Sequence, residues 1–134
     1  MRRRRALRPS CLGEALAVAD GGPVVATELE VAASCLARAV GWIGRRHFPP
    51  ERALWLPGAR AVHTFGMRGA IDVGFLAADG RVLGVRRRLA PWRIALGPPG
   101  TVACVECAPG TFARTGVRPG VRLVRRPRPA DTHP

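Results

Sequence analysis

Several residue types that serve common enzyme classes are missing from this chain or scarce in it. Its 134 residues include no lysine, tyrosine, asparagine or glutamine, and aromatic residues make up only 5%. Without lysine, the GxxxxGK phosphate-binding loop cannot occur. Ser10 and Ser34 are the only serines, and neither lies in a Gly-x-Ser-x-Gly turn. No apolar run approaches the ~18 residues that a membrane-spanning helix requires. The sequence therefore excludes P-loop nucleotide hydrolases and serine hydrolases built on that turn.

Positive charge is abundant, and most of it lies at the two ends of the chain. The net charge of +13 comes from 22 arginines against nine acids, and residues 9–117 contribute only +4 of it. Basic ends can bind phosphate polymers or anionic lipid head groups, or can serve as solvated, solubilising arms. Single-strand nucleic-acid binders usually interleave aromatic rings with their cations, so the low aromatic content favours solvated arms.

The length predicts one domain with two appendages. We expect a basic, disordered arm over residues 1–22, a β-rich domain over 23–124, and a basic tail over 125–134. The N-terminus begins like a secretory signal, but Arg8, Pro9 and Glu14 interrupt its apolar segment. We therefore predict a cytoplasmic location, with export as the less favoured alternative.

One early helix and a series of short strands are predicted. Thr27 and Glu30 have capping-box spacing, apolar residues follow at helical intervals, and Gly41 is a stop signal, so a helix is expected over about 28–40. The Asp79-Gly80 pair between apolar runs predicts a hairpin, and a helical turn is expected near 110–115. The fold class predicted is a compact antiparallel β-sandwich or a partly open barrel.

The Cys-x-x-Cys pair of Cys104 and Cys107 has the spacing of half a metal site, but a structural zinc needs further ligands. Residues three apart in a strand point to opposite faces. We therefore interpret both thiols as strand packing, and expect no metal and no cofactor.

A polar cluster beside the predicted hairpin supplies most of the candidate site residues. With two residues from later strands, the ligand-binding candidates are His63, Thr64, Met67, Arg68, Asp72, Arg93 and Glu106. His63 and Asp72 are also weak candidates for a catalytic acid–base pair. Alternatively, Asp72 accepts hydrogen bonds from backbone amides, because an isolated buried carboxylate is very costly. Glu106 poses the same question.

The segment VHTFGMRGAIDVGFLAADGRVLGV, preceded by GWIGRR and followed by APWRIAL and ACVECAPGTFARTGVRPGVRL, resembles the domain of unknown function 192 family, also called uncharacterised protein family 0127. The likeness runs from about Val24 to Val124. Its most specific part is the F-x-M-[KR]-x-x-[IL]-D core, which corresponds here to Phe65, Met67, Arg68, Ile71 and Asp72.

A second block, from Cys104 to Gly110, resembles the V-L-E-L-x-A-G segment of the same family. The resemblance implies a small, mostly β fold with an early helix, and it attaches no firm biochemical activity. Gly120-Val121 stands where the family usually has Gly-Asp. The resemblance therefore implies no role for an acidic side chain at this position of the chain.

Three functions remain open at the level of sequence. The first is a binding or accessory module whose cleft holds an anionic small ligand or an acidic partner segment, because a guanidinium group can grip a carboxylate or phosphate through two hydrogen bonds. The second is nucleic-acid or anionic-membrane binding through the basic ends. The third is a hydrolase or isomerase that uses His63 and Asp72.

Overall fold

The computed structural model describes residues 13–32 and 48–128. Over these residues the fold is mostly β, as predicted, with a single short helix. The strands are β1 (Glu14–Val18), β2 (Val24–Ala26), β3 (Glu28–Val31), β4 (Arg52–Pro57), β5 (Ala61–His63), β6 (Ile71–Leu76), β7 (Val82–Leu89), β8 (Ile94–Leu96), β9 (Ala103–Cys107) and β10 (Leu123–Pro127), and the helix is α1 (Thr111–Thr115).

The strands form three sheets. A central five-stranded sheet has the order β3-β4-β9-β6-β7, a second sheet has the order β10-β1-β2, and β5 and β8 form a two-stranded ribbon. None of the three closes into a barrel, and their arrangement is compatible with a sandwich. All pairs are antiparallel except β3 and β4, which run parallel; the sequence did not predict this pair.

The central sheet is buried on both faces. Along β6, Ile71, Val73 and Phe75 face one apolar cluster, which also contains Val62 of β5 and Ala95 of β8. The alternate residues of β6 point to the opposite face, where Leu76 packs in a second cluster with residues of β1, β2, β10 and α1. The ribbon therefore covers one face of the central sheet, and the three-stranded sheet and α1 cover the other.

The predicted start of the early helix is wrong. Glu28–Val31 is a strand, and the amide of Glu28 donates to the carbonyl of Glu51, 3.0 Å away, instead of closing a helical turn. The side chain of Glu28 accepts a hydrogen bond from Arg52 on β4. These partners are distant from Glu28 in the sequence, so their pairing overrides the local helical pattern. Residues 33–47 of the chain, which include the rest of the predicted helix, lie outside the described residues.

The N-terminal end also differs from the predicted arm. Residues 14–18 form β1, which is the middle strand of its sheet, and Leu16 and Ala17 are completely buried. At the other end, β10 extends to Pro127, inside the segment predicted as a tail. Because β1 and β10 pair with each other, the backbone of each strand is hydrogen-bonded to a segment that is distant in the sequence.

Two local predictions are confirmed. Asp79 and Gly80 form the turn between β6 and β7: Gly80 has a φ of 87°, and Asp79 accepts a hydrogen bond from the amide of Arg81 at 3.0 Å. The helical turn expected near 110–115 is α1. Among the residues that the structure describes, no helix has the length and hydropathy required to cross a bilayer.

Candidate functional site

Asp72 is completely buried, and both of its carboxylate oxygens bind backbone amides. Oδ1 accepts from Arg88 of β7 at 2.9 Å, and Oδ2 accepts from Phe112 of α1 at 3.0 Å. Hydrogen bonds to a charged acceptor are the strong ones in proteins. Asp72 thus joins three elements, and this geometry fits the structural alternative for its role.

The hydrogen bond to Arg88 stabilises a β-bulge. Ile71 and Val73 of β6 pair with Leu89 and Arg86 of β7, so Arg87 and Arg88 together oppose Asp72 alone. Arg88 has a φ of 51°, a left-handed conformation that is unfavourable for a non-glycine residue. Because of the extra residue, Arg87 and Arg88 both lie on the side of Asp72 and are exposed, whereas the exposed Arg86 pairs with Val73 and lies on the other side.

Thr64 has a similar structural role on the other side of the central sheet. It is completely buried, its hydroxyl donates to the carbonyl of Ala90 at 2.7 Å, and the same oxygen accepts from the amide of Arg93 at 2.9 Å. Its carbonyl also accepts from the amide of Trp92 at 3.1 Å. Trp92 has a φ of 63°, so Thr64 holds a second non-glycine residue in the left-handed region.

His63 and Asp72 do not meet. Asp72 points to the face of the central sheet that α1 covers. His63 pairs with Ile94 in the ribbon, which covers the opposite face, and its ring stacks on Phe65 with centroids 5.2 Å apart. The proposed acid–base pair therefore lacks the proximity that proton transfer requires.

The other candidate residues are distributed over several environments. Met67 is buried in the core beneath the ribbon, whereas Arg68 and Arg93 are exposed. Glu106 is completely buried on the face opposite Asp72, since it alternates with Val105 and Cys107 along β9. Of the seven predicted residues, the structure brings Thr64 and Arg93 into a direct hydrogen bond, but it does not gather the set around one cleft.

The two described cysteines pack on opposite faces of β9, which confirms the prediction from strand geometry. Cys104 lies in the core beneath the ribbon and donates to the carbonyl of Ala59 at 3.3 Å, and Cys107 lies in the core beneath α1. Burial, aided by the negative charges of Asp72 and Glu106, raises the pKa of the Cys107 thiol far above its usual range. Cys107 is therefore an apolar packing residue at neutral pH.

A cluster of exposed cations that the sequence reasoning missed lies beside Asp72. We call it the arginine face, and it consists of Arg87, Arg88, Arg114 and Arg118. Arg87 donates through Nη2 to the carbonyl of Val117 at 3.3 Å, which ties β7 to the loop after α1. Nη2 of Arg88 lies 3.4 Å from where a Cβ on Gly110 would stand, so its side chain extends toward α1. The run Arg-Arg-Arg at 86–88 was the available signal.

The fold and these sites define a small, mostly β domain with a buried carboxylate at its centre. A model of the DUF192 family, described as uncharacterized ACR, COG1430, matches residues 16–124. The chain belongs to this family, as its resemblance to the domain of unknown function 192 family predicted. A search of curated proteins finds no match.

Two solved structures share the fold. One, from Sinorhizobium meliloti, is described as a candidate transcription regulator; it is 25% identical, with a TM-score of 0.70, and the match covers 84% of this chain and 91% of the other. The second, from Novosphingobium aromaticivorans, is a protein of unknown function; it is 20% identical, with a TM-score of 0.71, and the match covers 89% of this chain and 91% of the other.

Proposed function

We propose that this protein is a binding or accessory module that recognises an anionic partner through the arginine face. The observation that supports this proposal is the absence of ion pairs: in the described part of the chain, none of the four arginines of this face pairs with a carboxylate. Uncompensated guanidinium groups on one surface are suited to carboxylates and phosphates, which they bind through two parallel hydrogen bonds.

Glu14 and Glu28, two of the acids in the described residues, form ion pairs away from the arginine face. Glu14 pairs with Arg125 at 2.7 Å, and Glu28 pairs with Arg52 at 3.0 Å. Glu28 lies on β3, the edge of the central sheet opposite β7. The sheet therefore has a charge-compensated edge and an uncompensated cationic edge, and the uncompensated one attracts anions more strongly.

An acidic protein segment suits this surface better than a single small anion. The four arginines are spread over β7, α1 and the loop that follows, so a partner with several carboxylates can engage more of them at once. The alternative is the other binding module that the sequence predicted. In it, an anionic small ligand occupies a cleft around His63, Arg68, Asp72 and Arg93. Asp72 is not presented to such a ligand, because its side chain is completely buried and already accepts two backbone amides.

A charge-matched pair of triple variants tests the proposal. Arg88→Ala, Arg114→Ala and Arg118→Ala remove three exposed side chains of the face but keep the Arg88 and Phe112 amides that bind Asp72 and the Arg87–Val117 bond. Arg81→Ala, Arg122→Ala and Arg126→Ala remove the same charge elsewhere. The probe is a fluorescent oligoglutamate peptide, and its anisotropy is measured at low and physiological salt.

We expect the arginine-face variant to bind the peptide at least ~10-fold more weakly than the wild type, since each rim charge contributes up to ~1 kcal/mol. The control variant should lose less than about threefold. Equal losses in the two variants would show that only the net charge matters, and the arginine face would then have no role of its own.

Nucleic-acid binding is the second candidate, and the description of the S. meliloti structure as a transcription regulator favours it. The net charge of +13 would supply the phosphate attraction. A single-stranded oligonucleotide of the same charge as the peptide separates the two candidates. Tighter binding of the oligonucleotide, with a steep salt dependence that is lost on removing residues 1–10 and 129–134, would favour nucleic acid. The cytoplasmic location stays a prediction.

A further inference from the structure

The outer side of the β5–β8 ribbon is an apolar surface that the proposed function does not use. We call it the ribbon face, and it consists of Phe65, Trp92, Ile94 and Leu96, whose exposed fractions are 42%, 66%, 61% and 76%. Isolated exposed apolar residues are common, but a contiguous group of large ones marks an interaction surface.

The strand geometry makes the ribbon face continuous. Ile94 and Leu96 alternate with the buried Ala95, so their side chains share the outer side of β8. Phe65 and Trp92 follow and precede the paired strands, with ring centroids 5.9 Å apart. Two aliphatic and two aromatic side chains thus extend along one side of the ribbon.

The backbone of Trp92 is held in an unfavourable conformation. A bulky residue with a φ of 63° is a genuine outlier, and such strain persists only where surrounding contacts impose it. Here the completely buried Thr64 imposes it, through its carbonyl to the Trp92 amide and through its hydroxyl to both Ala90 and Arg93. A buried polar residue therefore fixes a loop that carries an exposed indole.

The charges around the ribbon face have one sign. Arg60, Arg68 and Arg93 are exposed and lie on the segments that carry the four apolar residues. Neither residues 59–68 nor residues 90–102 contain an aspartate or glutamate. The surface thus has an apolar centre with cations at its margin, which is the complement of an anionic, partly apolar partner.

We propose that the ribbon face docks on an anionic lipid bilayer. Trp92, Ile94 and Leu96 enter the interfacial region, where indole rings favour the boundary between head groups and acyl chains. The three marginal arginines contact lipid phosphates, whose negative surface potential attracts them. Side chains that are 61–76% exposed project from the surface, and a fluid bilayer accommodates projecting side chains without a complementary groove. The α1 part of the arginine face points away from this membrane side.

Vesicle sedimentation tests the proposal. The full chain is mixed with vesicles of phosphatidylcholine alone or of phosphatidylcholine mixed with phosphatidylglycerol. The variant Ile94→Ser with Leu96→Ser removes the two exposed aliphatic side chains of the ribbon face without changing charge. Val24→Ser is the control, because Val24 is 49% exposed but lies on β2. Circular dichroism and the melting temperature establish that each variant folds.

We expect the wild type and Val24→Ser to bind the anionic vesicles equally, and the double serine variant to bind at least ~10-fold more weakly. Neutral vesicles should bind little of any protein. Binding by the double variant equal to that of the wild type would overturn the proposal, since net charge alone would then explain adsorption. Concentration-dependent dimers that the double serine substitution abolishes, without vesicle binding, would overturn it in favour of a second copy of the chain.

Discussion

Asp72 and Thr64 lie on opposite sides of the central sheet, and each holds a residue of the 88–92 segment at a positive φ. Asp72 acts as an acceptor only, and it binds amides from two separate elements, β7 and α1. Thr64 both donates and accepts, and all of its side-chain partners lie in one loop. The carboxylate therefore stabilises the packing of the whole domain, whereas the hydroxyl stabilises a local conformation.

The two sides also differ in what they expose. Beside Asp72 the surface is cationic, and beside Thr64 it is apolar with a cationic margin. Polar residues that cluster in the sequence are thus separated by the fold into two structural roles. Asp72 holds the backbone beside the arginine face, and Thr64 holds the backbone beside the ribbon face. These two surfaces are the ones available for recognition.

The largest expected effect is that of Asp72→Ala. This substitution leaves the buried amide of Phe112 and the partly buried amide of Arg88 without an acceptor, and an unsatisfied buried group costs ~1–3 kcal/mol. We expect the free energy of unfolding to fall by about 3–5 kcal/mol, measured by urea denaturation. Asp79→Ala, in the exposed turn of the adjacent hairpin, should cost less than ~1 kcal/mol. Similar losses in both variants would mean that the two amides find other acceptors.

Thr64→Val should cost less than Asp72→Ala, because its effect is confined to one loop. The substitution keeps the shape of the side chain but removes the acceptor of the Arg93 amide and the donor to the Ala90 carbonyl. We expect a loss of ~2 kcal/mol in the free energy of unfolding. Fluorescence anisotropy should also show a more mobile Trp92 ring. A loss as large as that of Asp72→Ala would contradict the local role.

Raising the pH tests the packing on the side of the sheet where Asp72 lies, because the buried thiol of Cys107 is on that side. Cys107 pairs with Asp72 across β6 and β9. The folded pKa of the Cys107 thiol is raised above the unfolded value of 9.0. Its contribution to stability is therefore fully present below that value and is lost as the pH rises above it. The free energy of unfolding should fall with a slope that approaches about 1.4 kcal/mol per pH unit for this thiol.

The composition makes this titration simple to assign. Lysine and tyrosine are absent from the chain, and arginine stays charged, so cysteines are the side chains of the unfolded chain that titrate between pH 9 and 11. Cys107→Ala should lower the slope, and native Cys107 should resist iodoacetamide at pH 8 until the protein is unfolded. Rapid alkylation of native Cys107, located by peptide mass mapping, would contradict its burial.

The smallest effect should be a gain in stability. Arg88→Gly places a glycine at a φ of 51°, where glycine has no steric cost. Relief of strain should raise the free energy of unfolding by about 0.5–1 kcal/mol. Arg87→Gly, one residue earlier in the bulge, should lower it, since Arg87 has no positive φ to relieve and donates to Val117. A loss at both positions would show that Arg88 carries no strain.

The sequence predicted those parts of the fold that depend on local signals. Asp79-Gly80 identified the central hairpin, and strand alternation placed the two cysteines on opposite faces. Glu28–Val31 was predicted as helix because its parallel partner β4 is distant in the sequence and leaves no local signal. Strand β1 was missed for the same reason, since it pairs with β10 at the other end of the chain.

The candidate site was predicted less well, because the positions of its side chains depend on irregularities of the backbone. The sequence suggested that Asp72 accepts backbone amides, but not that one of them belongs to a bulge at Arg88. Without that bulge, alternation along β7 would have placed Arg87 and Arg88 on opposite sides of the sheet. No local pattern in the sequence indicates the extra residue, so the placement of Arg87 and Arg88 on one side could only be seen in the structure.

Amide hydrogen exchange by NMR tests most directly whether Asp72 and Thr64 act independently. In the wild type we expect the amides of Arg88, Phe112 and Arg93 to exchange slowly. In Thr64→Val, the Arg93 amide should lose protection while Arg88 and Phe112 keep it. Loss of protection at all three amides in Thr64→Val, or at none of them, would contradict the account of two separate structural roles.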